Sequence, residues 1–211
     1  MQIDVFADFS CPWSYLGILR LDEALREVPD RDSYVVRYRP LQMDPDLPPI
    51  PQPFLRYYGE RGALEGTGRH AVLDVLRATP GVRLRLQRAV VANTMRAHRL
   101  VWIAGRDGGP QVQRQIVMGL MHACFTESAN IADLDTLTTL AHRAGLDRCD
   151  TRMALIRGDS SVPVQRAIAM ARARRITEPP TFVADGRFML RGPQEPDALR
   201  RLLTVSRTAA A

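Results

Sequence analysis

Six of the fourteen residues from Pro40 to Pro53 are proline, at positions 40, 45, 48, 49, 51 and 53. Proline lacks a backbone N–H and locks φ, so this stretch can be neither regular helix nor interior strand. It reads as a stiff connector, and a domain boundary falls inside it. It also separates two kinds of pattern. Before it, residues 2–7 read as a strand and 12–28 as a helix ending near Pro29. Ser33–Pro40 is rich in β-branched and aromatic residues and reads as a second strand. Two strands flanking a helix predict a βαβ unit with parallel pairing. After it, Phe54 to about Leu155 is mainly helical in pattern.

Within that block, Gly81–Arg88 alternates with period two and predicts a short extended piece. Asn93-Thr94 predicts an N-cap, and residues 110–126 a helix. Asp133 caps another helix that stops at Gly145, and 150–158 reads as a short further one. From Ser160 or Ser161 a helix runs to about Arg175. Then come a strand (Thr181–Ala184), an Asp185-Gly186 hairpin turn, a strand (Arg187–Leu190) and a last helix over 195–203.

The outer parts together predict an α/β fold: a thioredoxin-like, four-stranded mixed sheet with helices on both faces. A large helical domain is inserted in it. The expected units are 1–48 (the N-terminal βαβ part), 49–158 (the inserted, all-helical domain) and 159–211 (the C-terminal αββα part). The two ends should close on each other, since neither makes a complete sheet alone.

Composition excludes several classes. The formal charge is +6, and all 29 basic residues are arginine. They are scattered and no nucleic-acid motif accompanies them, so a nucleic-acid partner is not expected. No apolar run approaches the ~20 residues needed to span a bilayer. The N-terminus lacks a basic segment followed by an apolar one, which predicts a cytoplasmic protein without a membrane partner. The cysteines, Cys11, Cys124 and Cys149, are too few and odd in number for a disulfide scaffold. His70, His98, His122 and His142 lie far apart, and no metal site is expected.

Chemistry concentrates at Asp8-Phe9-Ser10-Cys11-Pro12-Trp13-Ser14-Tyr15. Cys11 sits where a strand hands over to a helix, with proline at the first helical position. Unpaired N–H groups and the positive end of the helix dipole favour a thiolate there, so a lowered thiol pKa is expected. Ser14 stands where a dithiol motif would place its second cysteine. Its hydroxyl can stabilise a thiolate but cannot resolve a mixed disulfide. Cys124 lies on an apolar helix and reads as structural; nothing brings Cys149 near Cys11.

The segment Asp8–Gly17 resembles the active-site segment of the DsbA family of thioredoxin-fold oxidoreductases, in particular FrnE-like proteins, whose motif reads Cys-Pro-Trp-Cys-Tyr. Asn93-Thr-x-x-Ala-His-Arg-Leu100, Pro180-Thr-Phe-Val-x-Asp-Gly-Arg-Phe188 and Gly192-x-Gln194 carry the same resemblance, which spans about residues 3–203. It implies a cis peptide at Pro179-Pro180, facing the active site. The chain also resembles 2-hydroxychromene-2-carboxylate isomerases and kappa-class glutathione transferases. Those read serine where Cys11 stands and share Pro-x-Ser-Tyr-Leu. The Asp-Arg pair of that group is missing: the segment here is Arg191-Gly-Pro-Gln-Glu-Pro196.

Cys11 and Ser14 are thus the candidate catalytic pair. Pro12, Trp13, Pro179, Pro180 and Thr181 are candidate substrate contacts, as are Asn93 and His98 if they face the cleft. Pro180 is also the candidate platform for a thiol cofactor. Three functions follow. The first is a monothiol thiol–disulfide oxidoreductase with Cys11 as nucleophile and an external thiol as resolver. The second is a glutathione-type isomerase or transferase acting on a small aromatic or polyketide-like substrate. The third is a catalytically silent accessory protein. No tightly bound cofactor is expected; glutathione or another low-molecular-weight thiol is the candidate co-substrate. The resemblance makes a homodimer plausible.

Overall fold

The computed structural model describes residues 1–60, 74–79 and 82–208. At its centre is β1 (Gln2–Ala7), buried from Ile3 onward. It pairs in parallel with β2 (Val35–Pro40) on one side. On the other it pairs antiparallel with β5 (Thr181–Ala184), which pairs with β6 (Phe188–Arg191). The order β2-β1-β5-β6 is the expected four-stranded mixed sheet, closed by both ends of the chain. The β5–β6 turn has Asp185 at φ 46° and Gly186 at φ 69°. Two successive positive φ values make the tight turn that suits strand twist, which is why Asp-Gly stands there.

Between β1 and β2 runs α1 (Pro12–Glu27), with proline in its first turn and Cys11 as N-cap. It packs against the last helix, α8 (Pro196–Thr208), and is tied to it by ion pairs from Arg20 to Glu195 and from Arg200 to Glu27. Gly17 lies against the Pro180 segment. A Cβ there would sit 2.6 Å from Pro180 Cγ, so only glycine allows this approach.

The intervening residues contain β3 (Gln52–Pro53), α2 (Phe54–Glu60) and β4 (Val90–Val91). After these come α3 (Met95–Asp107) and α4 (Gly109–His122), continued by a π turn over Ala123–Glu127. Helices α5 (Leu134–Arg143), α6 (Arg148–Arg157) and α7 (Ser161–Ala173) follow. The block is not purely helical, because β3 and β4 form a two-residue antiparallel bridge. The extended piece expected at 81–88 is absent from its described part. Residues 82–85 are coil and 86–88 a turn, and the pairing falls at Val90–Val91. Alternation without a partner strand does not make a strand; here the partner is Gln52–Pro53.

One apolar core runs through both parts, from Ile3 and Ile18 through Leu100, Phe125 and Phe182 to Leu203. The free edge of β2 is covered by a side chain. Gln113 of α4 accepts from the Tyr38 N–H at 2.9 Å and donates to the Tyr38 carbonyl at 3.1 Å, imitating a neighbouring strand. Among the described residues no helix is long and apolar enough to cross a membrane, and no cluster of His, Cys, Asp and Glu could hold a metal ion.

Candidate active site

The site forms where β1 ends and α1 begins, opposite the start of β5. Cys11 has extended φ/ψ, donates its N–H to the Asp8 carbonyl and accepts the Tyr15 N–H. Its Sγ lies 3.8 Å from the Pro179 carbonyl oxygen, and the Pro179-Pro180 peptide is cis. The thiol is therefore set against a backbone acceptor that comes from the far end of the chain.

Ser14 is fully buried one turn into the helix, and its Oγ accepts the Asp8 N–H at 3.2 Å. The Ser14 N–H and hydroxyl, with the Trp13 N–H, favour the Cys11 thiolate. They do not win. Burial dominates, the Asp8 carboxylate adds to it, and the thiol is pushed up to about 11. The lowered pKa expected from the helix start is thus overturned. Cys11 is 1% exposed, and desolvation of the anion outweighs three donors.

Pro12, Pro180 and Thr181 are buried, whereas Trp13 and Pro179 are partly exposed and form the accessible rim. The Thr181 hydroxyl donates to the Glu178 carbonyl at 2.6 Å, so it braces the cis-proline loop. Asn93 and His98 are not on the rim. Asn93 donates to the Pro45 and Leu47 carbonyls and accepts from Gln42 Nε2 and the Met95 N–H. Its polar capacity is spent on clamping the proline-rich connector to α3. The His98 side chain has no exposed surface, and its ring lies 4.6 Å from that of Phe9. At both positions the polar or aromatic group has intramolecular neighbours. In both cases the tertiary neighbours, not the helix position, set the direction of the side chain.

Two residues without an assigned role belong to the site. Asp8 is 1% exposed; its Oδ1 accepts the Phe9 N–H and its Oδ2 the Met43 N–H, both at 2.8 Å. His98 Nε2 stands 3.5 Å from Asp8 Oδ1. Tyr58 of α2 donates its hydroxyl to the Ser10 carbonyl at 2.9 Å and lies beside Trp13. Burial, with Cys11 and Asp8 nearby, holds its phenol well above the usual range. A signal for Asp8 was visible: a lone acid between Ala7 and Phe9 at the buried end of a strand needs partners. Nothing local marks Tyr58.

Cys124 is fully buried in the π turn, with Sγ 3.5 Å from the Val90 carbonyl. Cys149 is exposed in the first turn of α6, and all three thiols are free.

Residues 2–204 match the family model of the DSBA-like thioredoxin domain, and the chain belongs to that family. Among solved structures it is similar to a probable DsbA oxidoreductase from Streptomyces coelicolor. The identity is 24% and the TM-score 0.84, over 99% of this chain and 90% of that one. The cytosolic disulfide reductase DsbM from Pseudomonas aeruginosa aligns over 100% of both chains, at 19% identity and TM-score 0.67. A 2-hydroxychromene-2-carboxylate isomerase aligns over 100% of this chain and 96% of its own, at 19% identity and TM-score 0.62. No curated protein matches the sequence.

Proposed function

We propose that the protein is an enzyme, a monothiol thiol–disulfide oxidoreductase of the DSBA-like class that works with an external low-molecular-weight thiol in the cytoplasm. The observation that carries this is the placement of Cys11 Sγ: at a helix N-cap, 3.8 Å from the Pro179 carbonyl, with Ser14 in place of a second thiol. The Cys11 thiolate attacks a substrate disulfide, its S–S bond breaks, and one half leaves as thiolate while the other stays on Cys11. A second thiolate, of the glutathione class, then attacks that mixed disulfide and frees Cys11. Freeing Cys11 leaves the substrate half in a mixed disulfide with the external thiol, and a second external thiol releases it, so two external thiols become one disulfide as the substrate disulfide is reduced to two thiols. A structural neighbour named as a cytosolic disulfide reductase, also solved with GSH, supports the cofactor class and the compartment.

The site limits how a peptide-like ligand binds. Pro179 offers a carbonyl but has no N–H. A bound backbone could donate one hydrogen bond beside the cis peptide but could receive none from that residue, which weakens strand-like addition. Recognition then rests on the partly exposed rim of Trp13 and Pro179.

The test is mass spectrometry after incubation with oxidised glutathione. One glutathionyl adduct on Cys11 of the folded protein is expected; its absence rejects the exchange reading. A second reading, a thiol-dependent isomerase, draws on the burial of Cys11, which favours a neutral thiol, and on the Pro-x-Ser-Tyr-Leu segment. Replacing Cys11 with serine separates the two. Exchange would be lost, whereas isomerisation of a small aromatic substrate would survive.

A further inference from the structure

Exchange at Cys11 needs a disulfide to reach its sulfur, yet Cys11 is 1% exposed. Something packed around it must therefore give way, and the elements that meet there are not held alike. The Pro179-Pro180 loop belongs to the sheet: β5 is paired on both sides, and the Gly192 N–H donates to the Pro180 carbonyl at 2.8 Å. Helix α1 has sixteen residues and is fixed to the α8 end of the chain by two ion pairs. Helix α2 has only seven. Its first residue is anchored, with the Phe54 N–H donating to the Ala89 carbonyl at 2.9 Å and the Phe54 ring edge-on to Phe125. Its later residues are tied to the site by two phenol hydroxyls. Tyr57 donates to Asp44 Oδ2 and Tyr58 to the Ser10 carbonyl, each at 2.9 Å.

Tyr58 reaches the chain on both sides of the thiol. Its hydroxyl holds the residue before Cys11, and its ring lies 6.3 Å from that of Trp13, two residues after it. The ring is itself buried, against Phe54 at 4.5 Å and Tyr57 at 5.1 Å. Burial keeps the phenol protonated, so the hydroxyl remains a donor. A neutral hydrogen bond of this kind adds little net stability. The last turn of α2 can thus leave Ser10 at far smaller cost than a sheet strand or α1 could move, and without unfolding the core.

We infer that Tyr58 is a positioning residue that gates Cys11: bound to the Ser10 carbonyl it closes the approach to the sulfur, and release of that bond, with outward movement of the last turn of α2, admits a small thiol or disulfide. Closed, the site keeps Cys11 as a protected, neutral thiol. Open, it lets water reach the sulfur, and the Ser14 and Trp13 N–H groups and the Ser14 hydroxyl can then hold the thiolate. The inference deepens the exchange reading and rests on Cys11 being its nucleophile; its test uses no disulfide.

The experiment uses a Cys149→Ser background, which removes the exposed thiol, and follows alkylation by iodoacetamide at one pH, with peptide mapping to separate Cys11 from Cys124. Cys124 is the internal control, because it is equally buried and reacts only when the core opens. Tyr58→Phe keeps the ring and removes the bond to Ser10. It is expected to speed Cys11 alkylation about fivefold, the size of one neutral hydrogen bond, and to leave Cys124 unchanged. Should Tyr58→Phe not fold, Tyr57→Phe removes the Asp44 bond from the same helix and should speed Cys11 alkylation about twofold, again without Cys124. Unmoved Cys11 rates in the folded variant overturn the inference, as does a rise shared equally by Cys124, which would mark general loosening of the core. Selective speeding of Cys11 without a glutathione adduct would remove the exchange reading and leave the gate standing.

Discussion

Cys11 and Cys124 are both buried, both near Asp8 and both raised in pKa, to about 11 and about 12. They differ in what surrounds the sulfur. Cys11 stands at the N-terminal end of a helix, where the Ser14 and Trp13 N–H groups and the Ser14 hydroxyl are directed at it. Cys124 stands at the C-terminal end of one and donates to the Val90 carbonyl, with no donor offsetting its burial. Equal burial therefore does not mean equal chemistry. A thiolate at Cys11 has partners once solvent or substrate opens the site, and a thiolate at Cys124 has none.

The sharpest way to break this comparison is to delete each sulfur. In a Cys149→Ser background, which removes the exposed thiol, Cys11→Ala should abolish the glutathionyl adduct, taking its yield from one per chain to none, whereas Cys124→Ala should leave it intact. Mass spectrometry decides, and adduct retained in Cys11→Ala would transfer the chemistry to another thiol. Next in size is Gly17→Ala. The new Cβ meets the rigid Pro180 ring at 2.6 Å. We expect a loss of about 1–3 kcal/mol in urea unfolding, with slowed adduct formation, because the cis-proline loop is pushed away from Cys11.

Ser14→Ala removes one donor to the Cys11 thiolate and should lower alkylation at pH 7 about tenfold, the size of a lost hydrogen bond to a charged group. Cys124 should not respond. The smallest effect is in alkaline stability. Cys124 is raised from an ordinary 9.0 to about 12, so the folded state holds its proton more tightly than the unfolded one. Its stabilising contribution is complete below pH 9, declines as the unfolded thiol ionises, and is lost as pH rises towards about 12. Cys124→Ala should flatten the fall in Tm between pH 8 and pH 10 relative to the parent.

Much of the frame was legible because it depends on local rules. Pro12 after a strand announces a helix start, Asp185-Gly186 announces a tight turn, and Asp133 does cap α5, accepting the Thr136 N–H at 2.8 Å. The site was legible only in outline. The helix start suggested a lowered Cys11 pKa, because dipole and donors are local features, while the burial that reverses it comes from other segments. The Asn93-Thr94 motif does open α3, with Thr94 as N-cap and Asn93 Oδ1 accepting the Met95 N–H. The surroundings of Asn93 and His98 were open in the sequence: Asn93 also binds Pro45, Leu47 and Gln42, and His98 is buried against Phe9 and Asp8.

The amino-acid sequence alone determined the βαβ and αββα halves, the helical block between them, and a lone thiol with serine as its fourth-position neighbour. Those follow from φ/ψ limits, periodicity and the valence of sulfur against oxygen, which need no distant partner. The tertiary structure alone decided that Pro179, 168 residues away, accepts from Cys11, and that His98 meets Asp8. It also decided that Cys11 is held as a neutral thiol. Charge states depend on desolvation and on groups brought together by packing, and neither exists until the two ends of the chain close on the same sheet.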